Sequence, residues 1–157
     1  MHNNILLHLS MLREETFDYH LKWAWHKISK YYNQIAVNEG ITMAVGNVLL
    51  SIEKEGTPAT SLGPMMGMEP RSLSRILNSM EQKGLIERKP DPNDKRVNRV
   101  HLTELGKQGR AISRNTVIDL NQKLRSKFTE VELSTFFTVM QKLKNIDLNE
   151  LAYEPTH

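Results

Sequence analysis

The amino-acid sequence predicts a mainly α-helical fold that carries one short antiparallel hairpin near its middle. Three observations support this prediction. Apolar residues recur every three or four positions towards both ends of the chain, which is the spacing of one helix face. Two short segments, "LIERK" and "VNRVHL", have strand-like composition and flank a turn rich in proline and aspartate. Prolines, glycines and threonines fall between the segments, where helices begin or end.

The first helix is expected to begin near Phe17 and to end before Gly40, which breaks the pattern. Its apolar stripe falls at steps of three and four: Phe17, Leu21, Ala24, Ile28, Tyr31 and Ile35. Thr42 is placed to cap a second helix through its side-chain oxygen. The buried face expected for that helix consists of Val45, Val48, Leu49 and Ile52.

A short helix is predicted next, because Leu62 and Met66 lie one turn apart and Gly67 indicates a turn after them. Gly63 and Pro64 both weaken a helix interior, so the packing angle of this helix stays open.

A longer helix follows it. Pro70 suits its first position, where a missing N–H costs nothing, and Gly84 suits a left-handed cap at its end. Its expected apolar face consists of Leu73, Ile76, Leu77 and Met80. Strands are then predicted at 85–89 and 97–102.

Two helices complete the prediction. Thr103 is placed to cap a long helix. The residues expected inside that helix are Leu105, Ile112, Leu120 and Leu124. Thr129 and Glu132 have the spacing of a capping box for the last helix. The last apolar face is expected to comprise Leu133, Phe136, Phe137, Met140 and Leu143. The tail after Asn149 is expected to fray.

The composition indicates a globular protein with one ordinary core. The chain has 157 residues, of which 39% are hydrophobic and 25% charged. It has no apolar run of membrane-spanning length, so no membrane partner is expected. The start lacks the basic lead and cleavage site of a signal peptide, and cysteine is absent. A cytoplasmic location is therefore expected.

Positive charge is concentrated in one segment. Residues 71–110 hold ten Lys and Arg against five Asp and Glu, whereas the whole chain has a formal net charge of +3. Such a patch is typical of a protein that binds phosphate backbones, although charge alone favours a solvated basic face equally.

Two short helices separated by a glycine and followed by a hairpin predict a winged helix-turn-helix, which places its second helix in the DNA major groove. That helix opens with "PRSLSR". Arginine can hold guanine through two hydrogen bonds, and serine can bond bases or phosphates. The polar residues of its first turns are Arg71, Ser72, Ser74 and Arg75. A polar face that only meets water is the alternative for this helix read alone.

The turn of the hairpin is expected to be stiff. Pro90 and Pro92 restrict the backbone, while Asp91 and Asp94 favour turns through side chain to backbone bonds. The turn would present Lys95 and Arg96 beside the helix that enters the major groove. Both side chains would be in reach of the narrow minor groove of the DNA. An ordinary solvent hairpin remains the alternative.

The segment "SLSRILNSMEQKGLIERKPDPNDKRVNRVHLTELGK" resembles the multiple-antibiotic-resistance regulator (MarR) family. The family pattern has Leu-Glu-x-x-Gly-Leu-Ile-x-Arg, then Asp-Pro-x-Asp-Arg-Arg, then Val-x-Leu-Thr-x-x-Gly. The matching residues are Glu81, Gly84, Leu85, Ile86, Arg88, Asp91, Pro92, Asp94, Arg96, Val100, Leu102, Thr103 and Gly106. Met80 replaces a leucine and Lys95 an arginine, and the short helix "LGPMMGM" departs from the family's Leu-Ala-x-x-Leu-Gly.

The resemblance implies a transcription regulator, typically a repressor, that binds a pseudo-palindromic operator in double-stranded DNA as a homodimer. It implies dimerisation through 1–40 and 103–157, and DNA binding through 41–102. Arg96 would enter the minor groove and Asp94 would brace the turn. Glu69 matches an acidic position of the family and is expected to pair with Arg96 when DNA is absent.

Many family members release DNA on binding a small aromatic or acyl molecule. The candidate pocket residues lie on the first helix: His20, Trp23, Trp25, His26, Tyr31 and Tyr32. Aromatic groups with a few polar atoms suit such a pocket, but core or dimer packing is the competing interpretation.

The sequence offers little support for a metal-binding protein or an enzyme. The six histidines include no pair at helical metal-ligand spacing, so no metal or cofactor is expected. The chain has no glycine-rich phosphate loop, nucleophile elbow or His-Glu-x-x-His, so an enzyme is not expected. The alternative function is a winged-helix dimer that binds a ligand or protein without binding DNA.

Overall fold

The computed structural model describes residues 12–38 and 40–150. A 3₁₀ turn at Arg13–Glu15 precedes six helices and three strands. Their bounds are α1 Phe17–Asn38, α2 Met43–Ser51, β1 Thr57–Pro58, α3 Ala59–Met66, α4 Pro70–Gln82, β2 Ile86–Pro90, β3 Asn98–Leu102, α5 Glu104–Arg125 and α6 Glu130–Asn145. The chain forms two compact units that divide within α5, after Thr116. The expectations for the start of the chain and for the tail after residue 150 lie outside the described residues.

The three strands form one antiparallel sheet in the order β1-β3-β2. Arg88 of β2 lies opposite Val100 of β3, and Thr57 of β1 lies opposite Val100 on the other side. The predicted winged fold is confirmed, with strand bounds shifted by one residue. The sheet also contains β1, which was not predicted because two residues are too few for an alternating pattern.

The core of the first unit lies between α2, α3, α4 and the sheet. Val48, Leu49, Ile52, Leu62 and Met80 are completely buried there. This confirms the predicted inner face of α2 and places Leu73, Leu77 and Met80 of α4 inward. The opposite face of α4 is therefore turned to solvent.

The predicted helix starts are confirmed at three threonines. Thr42 Oγ1 accepts a hydrogen bond from the Val45 amide at 3.2 Å, and Thr103 Oγ1 accepts one from the Gly106 amide at 3.0 Å. Thr129 and Glu132 form a reciprocal capping box. The Thr129 amide is the largest of the influences that lower the pKa of Glu132, because it donates to the carboxylate.

The Gly63-Pro64 pair does not interrupt α3. Pro64 leaves the carbonyl of Thr60 without its helical donor, but Thr60 is exposed and water can bond that oxygen. Gly63 is buried, and a Cβ there would lie 3.0 Å from the carbonyl oxygen of Met68. The glycine thus allows the turn at Gly67, where φ is +59°, to pack closely against the helix.

The prediction for the interior of α5 was wrong at three of four positions. Leu120 is buried, but Leu105 is 51% exposed, and Ile112 and Leu124 are also exposed. In the first unit the inward face of α5 consists of small residues instead: Gly106, Gly109 and Ser113. A Cβ on Gly106 would lie 1.9 Å from the carbonyl oxygen of Leu85, so the backbones touch where a leucine was expected to pack.

The apolar faces of α1 and α6 are covered only in part. Phe17 and Leu21 are exposed at the start of α1, while Ala36 near its end is buried. On α6, Leu133 is buried but Phe136 and Phe137 remain about half exposed. Within the described residues, no helix has the length and apolar character needed to cross a membrane.

Candidate nucleic-acid interface

Helix α4 is hereafter called the recognition helix. Its solvent face carries the predicted contact residues. Arg71, Ser72, Ser74 and Arg75 are all exposed in its first turns. Ser74 Oγ donates to the Pro70 carbonyl at 2.8 Å, which leaves its oxygen free to accept. Within the described residues Arg71 and Arg75 make no ion pair, so both guanidinium groups are available to a ligand.

Arg88 of β2 attaches the recognition helix to the sheet. Its Nη2 donates to Asn78 Oδ1 at 2.7 Å, and its Nη1 lies 3.5 Å from Glu81 Oε2. The sequence motif contained Arg88, but its contacts with α4 follow only from the structure. Arg88 therefore links the recognition helix to the hairpin.

The loop at 91–97, hereafter the wing loop, is organised by Asp91. Its Oδ1 accepts from the Asn93 amide at 2.8 Å and from the Asp94 amide at 3.2 Å. Its backbone amide donates to the Val97 carbonyl at 2.8 Å. The hydrogen bond from Arg99 and then the Asn93 amide hold the pKa of Asp91 below its usual value. Asp91 is thus an anionic anchor for the turn.

Arg96 projects from the wing loop and is oriented by Asp94. Nε of Arg96 donates to Oδ1 at 3.0 Å and Nη2 donates to Oδ2 at 3.1 Å. The guanidinium lowers the pKa of the Asp94 carboxyl and the carboxylate raises that of Arg96. The Arg96 side chain is 91% exposed, and Lys95 beside it is exposed too.

The expected ion pair between Glu69 and Arg96 does not occur among the described residues of this DNA-free chain. Arg96 is paired with Asp94 instead. Asp94 lies two residues earlier in the chain, and the wing loop directs its carboxylate oxygens at the guanidinium of Arg96. Glu69 is the residue before the first turn of the recognition helix and is exposed.

Arg99 is a functional candidate that the sequence did not reveal. Its Nη1 donates to Asp91 Oδ2 at 2.9 Å, and its Nη2 donates to the Gly56 carbonyl at 2.6 Å. Nε contacts the Glu55 carbonyl at 3.3 Å. The backbone partners lie more than forty positions earlier in the chain, so no local pattern indicates them.

Three of the six candidate pocket residues of α1, His20, Trp23 and His26, are linked by a series of ring contacts that passes through Tyr19. Trp23 makes edge contacts with Tyr19 and His26, Tyr31 contacts Tyr32, and Trp25 is 55% exposed. His20 bonds the Glu14 carbonyl and contacts Tyr19.

The described part of the first unit has at least two grooves. One of about 290 Å³ is lined by Leu105 and Ile112 together with Ile41 and Leu85. A second, of about 510 Å³, lies beside the recognition helix. None of the six aromatic and histidine candidates lines either groove. The described residues include no cluster of three or more His, Asp or Glu arranged to hold a metal.

The sequence model of the MarR family matches residues 41–97, from two residues before α2 to the end of the wing loop. A protein of Thauera aromatica, described as a candidate transcriptional regulatory protein for the hcr operon, is 26% identical over 119 residues. The match covers 75% of this chain and 72% of that protein.

Solved structures of MarR-family proteins are also similar to this chain. Wild-type MarR of E. coli in its apo form is 28% identical, with a TM-score of 0.66 over 82% of this chain and 96% of that one. MepR of S. aureus, solved in complex with DNA, is 21% identical, with a TM-score of 0.75 over 82% and 95% of the two chains. At that identity the MepR match establishes the fold.

The helix order, the antiparallel wing and the arginine-bearing recognition helix define a winged helix-turn-helix protein. The chain is similar to the MarR family, whose members are transcription regulators, both in the sequence of residues 41–97 and in its fold. The resemblance noted from the sequence motif is thereby confirmed.

Proposed function

We propose that this chain represses transcription by binding a pseudo-palindromic operator in double-stranded DNA as a homodimer. The observation that carries the proposal is the solvent face of the recognition helix. It presents two arginines without ion pairs in the described chain, next to two serines, while its other face is fixed in the core. A helix held in this way can place its first turns against base edges in the major groove.

Arg71 and Arg75 are the proposed base-reading residues, and Ser72 and Ser74 the proposed base or phosphate contacts. The arginine spacing of four residues puts both guanidinium groups on one side of the helix. Each can bond guanine O6 and N7 at the same time.

The wing loop is proposed to contact the adjacent minor groove through Arg96, with Lys95 at a phosphate. The exposure of Arg96 and its orientation by Asp94 support this role. A cation inserted into a narrow minor groove meets a strong negative potential, so this contact adds affinity with little base preference.

The homodimer is proposed to form through residues 1–40 and 103–157, with residues 41–102 as the DNA-binding lobe. The exposed apolar side chains of α1 and α6 support this division, since monomeric proteins rarely leave such faces uncovered. Two identical lobes related by a two-fold axis require a symmetric operator.

Selection of bound sites from random duplex DNA tests the proposal. We expect an inverted repeat to be enriched by the native chain. Arg71→Ala and Arg75→Ala should each weaken binding to the enriched site by roughly 1–3 kcal/mol and relax base preference at particular positions. Equal loss on every sequence would make both arginines phosphate contacts, and no enrichment would reject sequence-specific binding.

We further infer that a small aromatic or acyl ligand releases the DNA by binding near the aromatic residues of α1. Both tryptophans of the chain, Trp23 and Trp25, lie there and both are substantially exposed. A panel of aromatic acids and acyl compounds should therefore yield a ligand that releases DNA and changes tryptophan fluorescence together. Release without any fluorescence change would place the ligand elsewhere.

A further inference from the structure

Arg99 connects three segments that are distant in sequence. It lies on β3, and its guanidinium joins Asp91 of the wing loop to the carbonyl oxygens of Glu55 and Gly56, in the turn between α2 and β1. Few side chains can do this, because the planar guanidinium presents five donors in a fixed fork.

The ion pair between Arg99 and Asp91 is sheltered from solvent. The side chain of Arg99 is 23% exposed and that of Asp91 12%. Three of the five N–H groups of Arg99 already have protein acceptors and the side chain is mostly buried, so its main contacts are with the protein. Its effect on a bound ligand would have to pass through the groups that it holds.

Asp91 continues the connection into the wing loop. One of its oxygens accepts from Arg99, and the other accepts from the amides of Asn93 and Asp94. Asp94 in turn holds Arg96 through two hydrogen bonds. A continuous series of contacts therefore runs from the turn at Glu55 and Gly56 to the guanidinium at the tip of the wing.

We propose that Arg99 is a positioning residue for DNA binding, which fixes the wing loop against the turn between α2 and β1 and so sets where Arg96 meets the minor groove. The proposal rests on the DNA-binding function proposed above. Displacing a contact by about an ångström is enough to lose much of its value, so a residue that never touches DNA can control affinity.

Arg99→Lys is the informative variant. Lysine keeps the charge and can reach one acceptor, but it lacks the fork that joins all three. Arg110→Lys on α5 is the matched control, because it makes the same replacement away from the wing.

The DNA experiment is a double-mutant cycle with Arg96→Ala on the enriched duplex. Arg99→Lys should weaken binding about tenfold in the native background, within the range of coupling between linked residues. In the Arg96→Ala background it should weaken binding less than about twofold, since the contact that it positions is already gone. A tenfold loss in both backgrounds, or no loss in either, would overturn the positioning role.

Hydrogen exchange of the DNA-free protein supplies the second readout. Arg99→Lys should speed exchange of the Asn93, Asp94 and Val97 amides about fivefold or more and leave the α5 amides unchanged. Unchanged exchange in the wing loop would show that Arg99 does not hold it. If the native chain binds no duplex DNA, the proposed function fails, and with it the positioning of a DNA contact. Exchange would then still decide whether Arg99 holds the loop.

Discussion

Three exposed arginines face the proposed DNA site, but they are held in different ways. Arg96 is oriented by both oxygens of Asp94, whereas Arg71 and Arg75 have no ion pair in the described chain. Holding a side chain in place before binding reduces the entropy lost on association. We therefore expect Arg96 to supply affinity in a defined position, and the helix arginines to adapt to the bases that they meet.

Replacing Arg96 tests the wing contact. Arg96→Ala should weaken binding to all duplexes by a similar factor and lower the salt-dependence slope by about one, because one cation no longer displaces counterions. Titrations at several salt concentrations measure both quantities. Lys107→Ala is the control, since it removes an exposed, ion-paired cation from α5. An unchanged slope in Arg96→Ala would remove Arg96 from the interface.

Acid should loosen the wing loop only below the ordinary pKa of an aspartate. Folding lowers the pKa of Asp91 and of Asp94 below that of an unfolded aspartate. The hydrogen bonds of the two carboxylates therefore stabilise the loop fully at pH values above the pKa of an unfolded aspartate. The stabilisation is lost as the pH falls from about 4 through the lowered values. Amide shifts of Asn93 and Arg96 measured by NMR should therefore titrate below pH 4. Titration at the ordinary aspartate pKa would contradict these bonds.

The sequence predicted the placement of the proposed contact residues better than it predicted the residues that hold them. A helix start and a turn are local patterns, so they placed Arg71, Arg75 and Arg96 on the exposed surface. Arg99 was missed because its backbone partners, Glu55 and Gly56, follow α2 and come close only when β1 pairs with β3. Pairing across that separation leaves no periodic signal.

At the scale of elements, α5 departs most from its pattern. Leu105, Ile112, Leu120 and Leu124 were expected inside, but in the first unit α5 buries Gly106, Gly109 and Ser113 instead. Glycine lets α5 approach the backbone where β2 begins, and Leu105 and Ile112 are left to line a groove. Caps were predicted correctly because they depend on one or two neighbouring residues, whereas close backbone approach depends on the assembled fold.

The substitution Gly106→Ala tests how closely α5 must approach the backbone of Leu85. Alanine favours a helix over glycine by about 1 kcal/mol, but its Cβ would meet the Leu85 carbonyl oxygen. We expect a net loss of about 1–3 kcal/mol in the free energy of unfolding, measured with denaturant. Gly109→Ala is the matched control, because its nearest atom is a Leu49 methyl group that can move. Equal or higher stability of Gly106→Ala would show that α5 can shift at little cost.

At the scale of the whole molecule, exposed apolar side chains occur in both units. Trp23 and Trp25 are exposed in the first unit, and Phe128, Phe136 and Phe137 in the second. Large apolar side chains exposed to water favour association of two copies of the chain, because the contact would bury them.

Light scattering should give a mass twice the 18.1 kDa of one chain. Phe136→Glu should shift the mass towards one chain on dilution, because a charge is costly in an apolar interface. Thr138→Glu is the control, since helical spacing places it on the opposite face of α6. A native chain that stays monomeric at high concentration would contradict the homodimer.

Hydroxyl-radical footprinting on the enriched duplex tests directly whether two copies of the chain bind DNA symmetrically, because it reports where the bound protein covers each strand. A symmetric dimer should give two protected regions with centres about one helical turn apart, roughly 10–10.5 base pairs. Arg96→Ala should remove only the minor-groove protection. A single protected region, or uniform protection along the duplex, would contradict a symmetric dimer that reads its operator through α4 and the wing.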